Sequence, residues 1–402
     1  MRHADFSRVL AAEGVSNFGS MLSRLAIPWL AALQLNATPA QMALLLLADV
    51  TASALGALWL GAWVERQDKR AVMLLADGVR AALLLGLALL AARGGLSVEL
   101  LALAAAASGL ATVAFELARS AWIAQRIAAP ELPRRNAQLS VAGSVSEAAA
   151  FALGGWLYQG LGAAWALAVD GLSYLLSALC LRRVRSTPSA VDTSAATTLS
   201  SLVADASQGL RAVAAHPTLR ALTVVHALLA FSLALFGTSF MIFVSRDLGL
   251  PTGELGLIFA LGGLGSVAGA SLASRLGRKL GPGTTMTVGL TMFALGLACA
   301  PAAQGSGWVA IVLLALQQIV GDSGHSLHDV HDRSLRQSAV PHDLLARVDA
   351  GIRSAGHFAT LAGALIGGAL GTAEGARTVL WLAVASALMA ALWAGLRLAR
   401  AA

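Results

Sequence analysis

The sequence predicts an all-α polytopic membrane protein, with twelve transmembrane helices arranged as two six-helix pseudo-repeats. Three observations lead there: the composition, the spacing of the apolar runs and an internal repeat. Of 402 residues, 57% are hydrophobic and 12% charged, and the mean hydropathy is +0.73. A soluble chain carries about 25% charged residues. This chain has too little polar surface to cover an ordinary soluble fold, and its composition also excludes a disordered or collagen-like chain. Barrel strands alternate apolar and polar residues over about 10 positions. Here the runs are longer, as around Leu101–Leu110, and rich in Ala and Leu, which favour helix.

A bilayer core about 30 Å thick needs about 20 apolar residues in a helix. Twelve stretches qualify. The first six are 9–33, 40–63, 71–92, 98–122, 138–159 and 163–182. The second six are 220–245, 254–275, 283–302, 308–330, 348–370 and 377–397. Spans one, five, ten and eleven carry internal polar residues. The 28 basic residues are 26 Arg and 2 Lys, and 21 of them fall on the termini and one set of connections. The other side holds 3, namely Arg93, Arg246 and Arg377, while Arg24, Arg80, Arg119 and Arg353 lie inside spans. Positive charge stays on the cytoplasmic side, so both termini are expected in the cytoplasm of a chain crossing the cell inner (plasma) membrane. Arginines placed between apolar runs orient a chain in lipid, so no nucleic-acid partner is expected despite the pI of 10.6. Met1–Arg8 is polar, and no cleavable signal pattern is expected there.

The longest polar stretch, Arg182–Arg220, divides the chain into halves. The expected organisation is a six-helix bundle over 1–183, a cytoplasmic linker over 184–218 and a second bundle over 219–402. A short amphipathic helix is expected at Leu202–Val213. Setting Leu132–Leu157 against Leu345–Leu370, a shift of 213, gives nine identities in 26 positions. They include Arg134/Arg347, Gly143/Gly356, Gly154/Gly367 and Gly155/Gly368. Spans five and eleven therefore hold equivalent places in two parallel repeats, and the paired glycines permit tight packing near their outer ends.

Two segments carry a more specific resemblance. Gly61-Ala62-Trp63-Val64-Glu65-Arg66-Gln67-Asp68-Lys69-Arg70 follows span two, and Asp77-Gly78-Val79-Arg80-Ala81 opens span three. The first resembles the loop signature of major facilitator transporters, with Glu65 in the usual Asp place. The second, together with Arg134-Arg135-Asn136-Ala137, is similar to the drug/proton antiporter branch that includes macrolide and enterobactin exporters. The second-half loop keeps only Ser274–Lys279 of the signature, and span five lacks the Pro of the antiporter motif. The resemblance implies the major facilitator fold and a secondary transporter that exports an amphipathic small molecule against protons. It implies a cytoplasmic gate at Gly61, Glu65, Arg66 and Arg70, with Asp77 and Arg119 as charge partners. A monomer is expected. Uptake or lipid flipping on the same scaffold is the alternative.

Charged groups inside hydrocarbon are costly and mark function. Arg24 and Asp49 lie at similar depth in spans one and two and could pair. Glu147, near the middle of span five, is the expected proton-coupling site. In the second half, Gly321–Asp332 places His325, His328, Asp329 and Asp332 on one helix face, with Asp322 and His325 deepest. A polar helix end at the cytoplasmic interface, proton or substrate handling, and a metal site all remain open for this group. A membrane-embedded metal enzyme built on it is the remote rival. Cys180 and Cys299 form no metal spacing. No phosphate loop, nucleophile elbow or zinc-protease pair occurs, so no enzyme activity, cofactor or resident metal is expected.

Overall fold

The structure, a computed structural model, describes residues 3–127, 131–186, 211, 213–340 and 342–398. Most of the expected linker, with the amphipathic helix at Leu202–Val213, lies outside the described residues. Among the described residues the elements are all helical. Spans one to four are the helices His3–Trp29, Pro39–Arg66, Lys69–Ala92 and Val98–Arg126. Spans five and six form one run, Leu132–Leu181, broken at Gly162. Spans seven to nine are Pro217–Ile242, Thr252–Leu280 and Pro282–Ala302. Spans ten to twelve are Trp308–Ala339, His342–Glu374 and Ala376–Arg397.

Local chemistry sets the helix starts. The Asp68 side chain accepts from the Arg70 amide, and Ser97 accepts from the Leu100 amide, each satisfying an orphan first-turn donor. Pro217 and Pro282 sit in the first turn of their helices, where a missing N–H costs nothing. Seven described helices are long and apolar enough to cross a bilayer by length and composition. The helices of spans one, two, ten and eleven are not among the seven; Glu13 and Arg24 interrupt span one, and Asp322 and His328 interrupt span ten.

The shift of 213 recurs in the backbone. Span one runs into a π turn at Leu30–Gln34, and span seven into one at Phe243–Asp247. Asn36 is left-handed, with φ 50°, and Gly249, 213 residues on, has φ 68°. Gly162 (φ 80°) and Gly375 (φ 87°) form the second such pair. Gly162 is thus the corner between spans five and six, as Gly375 is between eleven and twelve. Glycine takes this conformation without the Cβ penalty, and asparagine tolerates it.

The chain forms two compact units. The first comprises Met1–Asn36, Leu47–Ala196 and Pro251–Leu257, and the second Ala37–Leu46, Thr197–Leu250 and Ile258–Ala402. Phe6, Met73, Phe115, Trp122 and Leu181 form part of the first core. Leu222, Met286, Leu290, Phe293 and Val348 form part of the second. The paired glycines serve the expected close packing. In the first unit, a Cβ on Gly155 would lie 2.9 Å from the Gly256 Cα and collide with the Thr252 carbonyl. In the second unit, a Cβ on Gly368 would lie 2.8 Å from the Ala43 Cβ and 3.1 Å from the Ala40 Cα. Ala43 and Gly256 are themselves 213 residues apart, so the same crossing is built twice.

Candidate functional site

The interior of the first unit holds a set of ionisable side chains. Arg119 of span four makes an ion pair with Glu13 of span one, and Asn17, one turn on, donates to the same Glu13 oxygen at 3.4 Å. Arg80 of span three pairs with Asp77 at 2.5 Å. Its guanidinium is held between the Phe115 ring (4.8 Å) and the Tyr174 ring (4.1 Å). Tyr174 shares a hydrogen bond of 2.7 Å with Ser20. Asp170 of span six is 1% exposed and accepts from Ser173 at 3.3 Å. Gly19 opposite leaves room for it, since a Cβ there would lie 2.5 Å from the Asp170 carboxylate. Asp77 and Arg119 therefore have partners other than the expected ones: Arg80, one helical turn from Asp77, and Glu13.

The loop signature has a different job from charge pairing alone. Lys69, 3% exposed, donates to the carbonyls of Val64 (2.9 Å), Glu65 (2.7 Å) and Gln67 (2.9 Å). It closes the carboxyl end of span two, where a cation meets the negative pole of the helix. Arg70 reaches across to the carbonyls of Leu181, at 3.2 Å, and Arg182. Glu65 and Arg66 are exposed at the end of span two. Gly61 has open space where a Cβ would go.

In the second unit buried histidines stand beside carboxylate–arginine pairs. His328 (5% exposed) and His331 (7%) are buried against neighbouring helices. His331 donates to the Ala273 carbonyl at 3.1 Å, in a gap that Gly277 leaves for its ring. His325 packs against Phe293, with ring centroids 5.4 Å apart, and lies 6.2 Å from the His328 ring. His226 of span seven fits against Gly356 of span eleven. Arg336 bridges Asp332 (2.5 Å) and Asp349 (2.9 Å), tying span ten to span eleven. Among the described residues no three His, Cys, Asp or Glu side chains converge on a metal position, so the metal-enzyme reading finds no ligand set. Gly321 and Gly324 let span nine approach. A Cβ on Gly324 would lie 2.5 Å from the Phe293 amide nitrogen, and Gly321 stands against Gly296.

Two of the expected carboxylates, Asp49 and Asp322, are related through the internal repeat. Asp49 of span two faces Gly109 of span four, where a Cβ would lie 2.9 Å from the carboxylate. Asp322 of span ten faces Gly262 of span eight, where an added Cβ would collide with the carboxylate. Asp49 and Gly262 are 213 residues apart, and so are Gly109 and Asp322. The two units thus contain the same crossing with carboxylate and glycine exchanged. Arg24 acts on Asp49 through its field, and among the described residues the two form no salt bridge. Arg24 and Asp49 are both exposed on the unit surface, as is Glu147. Ser146 next to Glu147 is buried and donates to the Gly14 carbonyl at 2.8 Å.

Sequence reasoning missed Glu13, Asp170, Tyr174 and His226. The repeat was the available signal. Carried along the whole chain, the shift of 213 places Glu13 opposite His226 and Arg119 opposite Asp332.

The family model for the Major Facilitator Superfamily matches residues 9–348. No curated protein matches the chain in sequence. Among solved structures, the nucleoside transporter NupG is similar with TM-score 0.76 at 14% identity, over 98% of each chain. A bacterial metal transporter gives TM-score 0.69 at 20% identity, over 98% of each chain. A bacterial homologue of the iron transporter ferroportin, in an inward-facing state, gives TM-score 0.73 at 17% identity, over 98% of each chain. At these identities the likeness is one of fold.

Proposed function

The chain belongs to the major facilitator superfamily of membrane transporters, and we propose that it exports an amphipathic small molecule in exchange for protons. Its two six-helix halves alternate access to a site near the bilayer midplane. Asp49 and Asp322 carry the protons, with Glu147 as a further acceptor, Arg24 acting on Asp49 through its field, and His325 one helical turn from Asp322. The observation that supports this is the doubled crossing, in which each unit sets one carboxylate against a glycine inside a membrane-spanning pair. An intramembrane carboxylate is costly and is retained where a proton or substrate is handled. Export, rather than uptake, rests on the resemblance of the loop and of span three to drug/proton antiporters. The positive-inside bias supports an inner-membrane location with both termini cytoplasmic. The gate lies at Glu65, Arg66 and Arg70, and the chain works as a monomer.

The test is a panel of amphipathic substrates in inverted vesicles, with and without an imposed pH gradient. The expected result is accumulation of at least one substrate that collapses when the gradient is removed. Accumulation that ignores the gradient sinks proton coupling. Accumulation only in right-side-out vesicles assigns uptake instead.

A further inference from the structure

We propose that the end of span six, residues 181–186, forms with its neighbours a binding surface for the anionic headgroups of phospholipids. Four side chains from three other helices of the first unit reach the backbone of this short stretch. Arg70 donates to the carbonyls of Leu181 (3.2 Å) and Arg182, and Arg8 to that of Arg183 (2.8 Å). Trp122 donates to the carbonyl of Arg185 (3.4 Å), and Arg126 to that of Ser186 (2.6 Å). The stretch is pinned, and it presents its own Arg182, Arg183 and Arg185 side chains outward, all exposed.

Six guanidiniums are therefore gathered around six residues of backbone. A carbonyl satisfies a guanidinium donor but does not neutralise its charge. Among the described residues, the only salt bridge to any of the six is that of Asp5 to Arg8, at 3.1 Å. The surplus positive charge calls for an anion, and a phosphate can take two parallel N–H bonds from one guanidinium. The place selects the source. The cluster is formed by the start of spans one and three and the ends of spans four and six, so it lies at the level where spans leave the hydrocarbon and headgroups begin. This inference needs the helices to be spans. It does not need proton coupling or export.

The experiment measures binding of tail-labelled phosphatidylglycerol and phosphatidylcholine to the full chain in neutral detergent. The wild-type chain should prefer phosphatidylglycerol by about tenfold or more, since each arginine near an anionic surface contributes roughly fivefold. The preference should shrink as salt is raised. Arg182→Gln, Arg183→Gln and Arg185→Gln combined should remove most of it, while the same three positions changed to Lys should retain it. Equal binding of the two lipids to wild type overturns the proposal, as does a full preference in the triple Gln variant. Loss in the triple Lys variant as well overturns it by assigning the effect to fold rather than charge. Displacement of the lipid by inorganic phosphate at equal concentration overturns the lipid source.

Discussion

The crossing of spans two and four and the crossing of spans eight and ten are one element of the fold built twice, yet the carboxylate enters from opposite helices. In the first it is Asp49 against Gly109, and in the second Asp322 against Gly262. The same exchange runs through the interior. Glu13, ion-paired with Arg119, corresponds to His226, and Arg119 corresponds to Asp332, which pairs with Arg336 instead. The repeat therefore keeps where a polar group can stand but not which chemistry or which helix supplies it. A helix pair that leaves a notch for one side chain accepts that side chain from either partner, provided the other is glycine. The amino-terminal unit has filled its interior with carboxylates and arginines, and the carboxy-terminal unit adds buried histidines to its own Arg336–Asp332 pair.

The largest expected effect compares the two paired-glycine crossings. Gly155→Val drives a side chain into the backbone of Gly256, which cannot move aside. It should cost about 3 kcal/mol or more of stability, read as a lowered thermal midpoint in detergent. Gly368→Val meets the Ala43 Cβ and the Ala40 Cα, with no backbone atom as close as in the first crossing, and should cost about 2 kcal/mol. Equal losses would show that the two crossings are packed alike.

Next in size is the interior ion pair. Arg119→Ala leaves Glu13 as an unpaired buried charge, a loss of about 3 kcal/mol. Adding Glu13→Gln should restore much of it, so a double-mutant cycle will be strongly non-additive. His226→Gln at the equivalent place removes no ion pair and should cost about 1 kcal/mol. An additive cycle at Glu13 and Arg119 would break the contrast between the units.

A smaller effect on stability, but a specific one on transport, is expected from Glu147→Gln. The side chain is exposed on its unit, so the fold should tolerate the change. Proton-driven accumulation should fall, while substrate exchange down its own gradient survives. Wild-type accumulation at matched protein level removes Glu147 from the coupling set. The smallest effect belongs to Glu65→Gln at the end of span two. It should slow turnover severalfold with little change in substrate affinity, measured by transport against substrate binding. Normal transport by both Glu65→Gln and Arg66→Ala would leave this loop as an anchor only.

Much of the fold was legible in the sequence, because a membrane span is a long-range compositional signal that needs no partner. The twelve predicted spans match the helices to within a few residues in most cases, and Gly162 separates five from six where the apolar runs divide. Spans one and ten carried a weak apolar signal for the same reason that they hold interior chemistry: Glu13 lowers the hydropathy of the first, and Asp322 and His328 that of the second. The site was legible only in part. Asp49 and Asp322 stood out as charges within spans, but their relation lies in two helix pairs distant in sequence. The expected partners failed because side-chain direction decides them. Arg80 lies one turn from Asp77 and takes it, leaving Arg119 to Glu13 on another helix. The role of Lys69 as a carbonyl cap at the end of span two depends on the loop's fold and has no signature of its own.

The most direct test moves the carboxylate of one crossing to the helix it occupies in the other. Asp322→Gly combined with Gly262→Asp rebuilds in the second unit the arrangement of Asp49 and Gly109. Proton-driven substrate accumulation is measured in proteoliposomes at matched protein level for wild type, for Asp322→Asn and for the relocated variant. The account predicts that Asp322→Asn falls to the level of passive exchange, and that relocation restores a substantial part of the wild-type accumulation. Wild-type accumulation by Asp322→Asn, or relocation no better than Asp322→Asn, would contradict the claim that the two crossings are equivalent proton-handling elements.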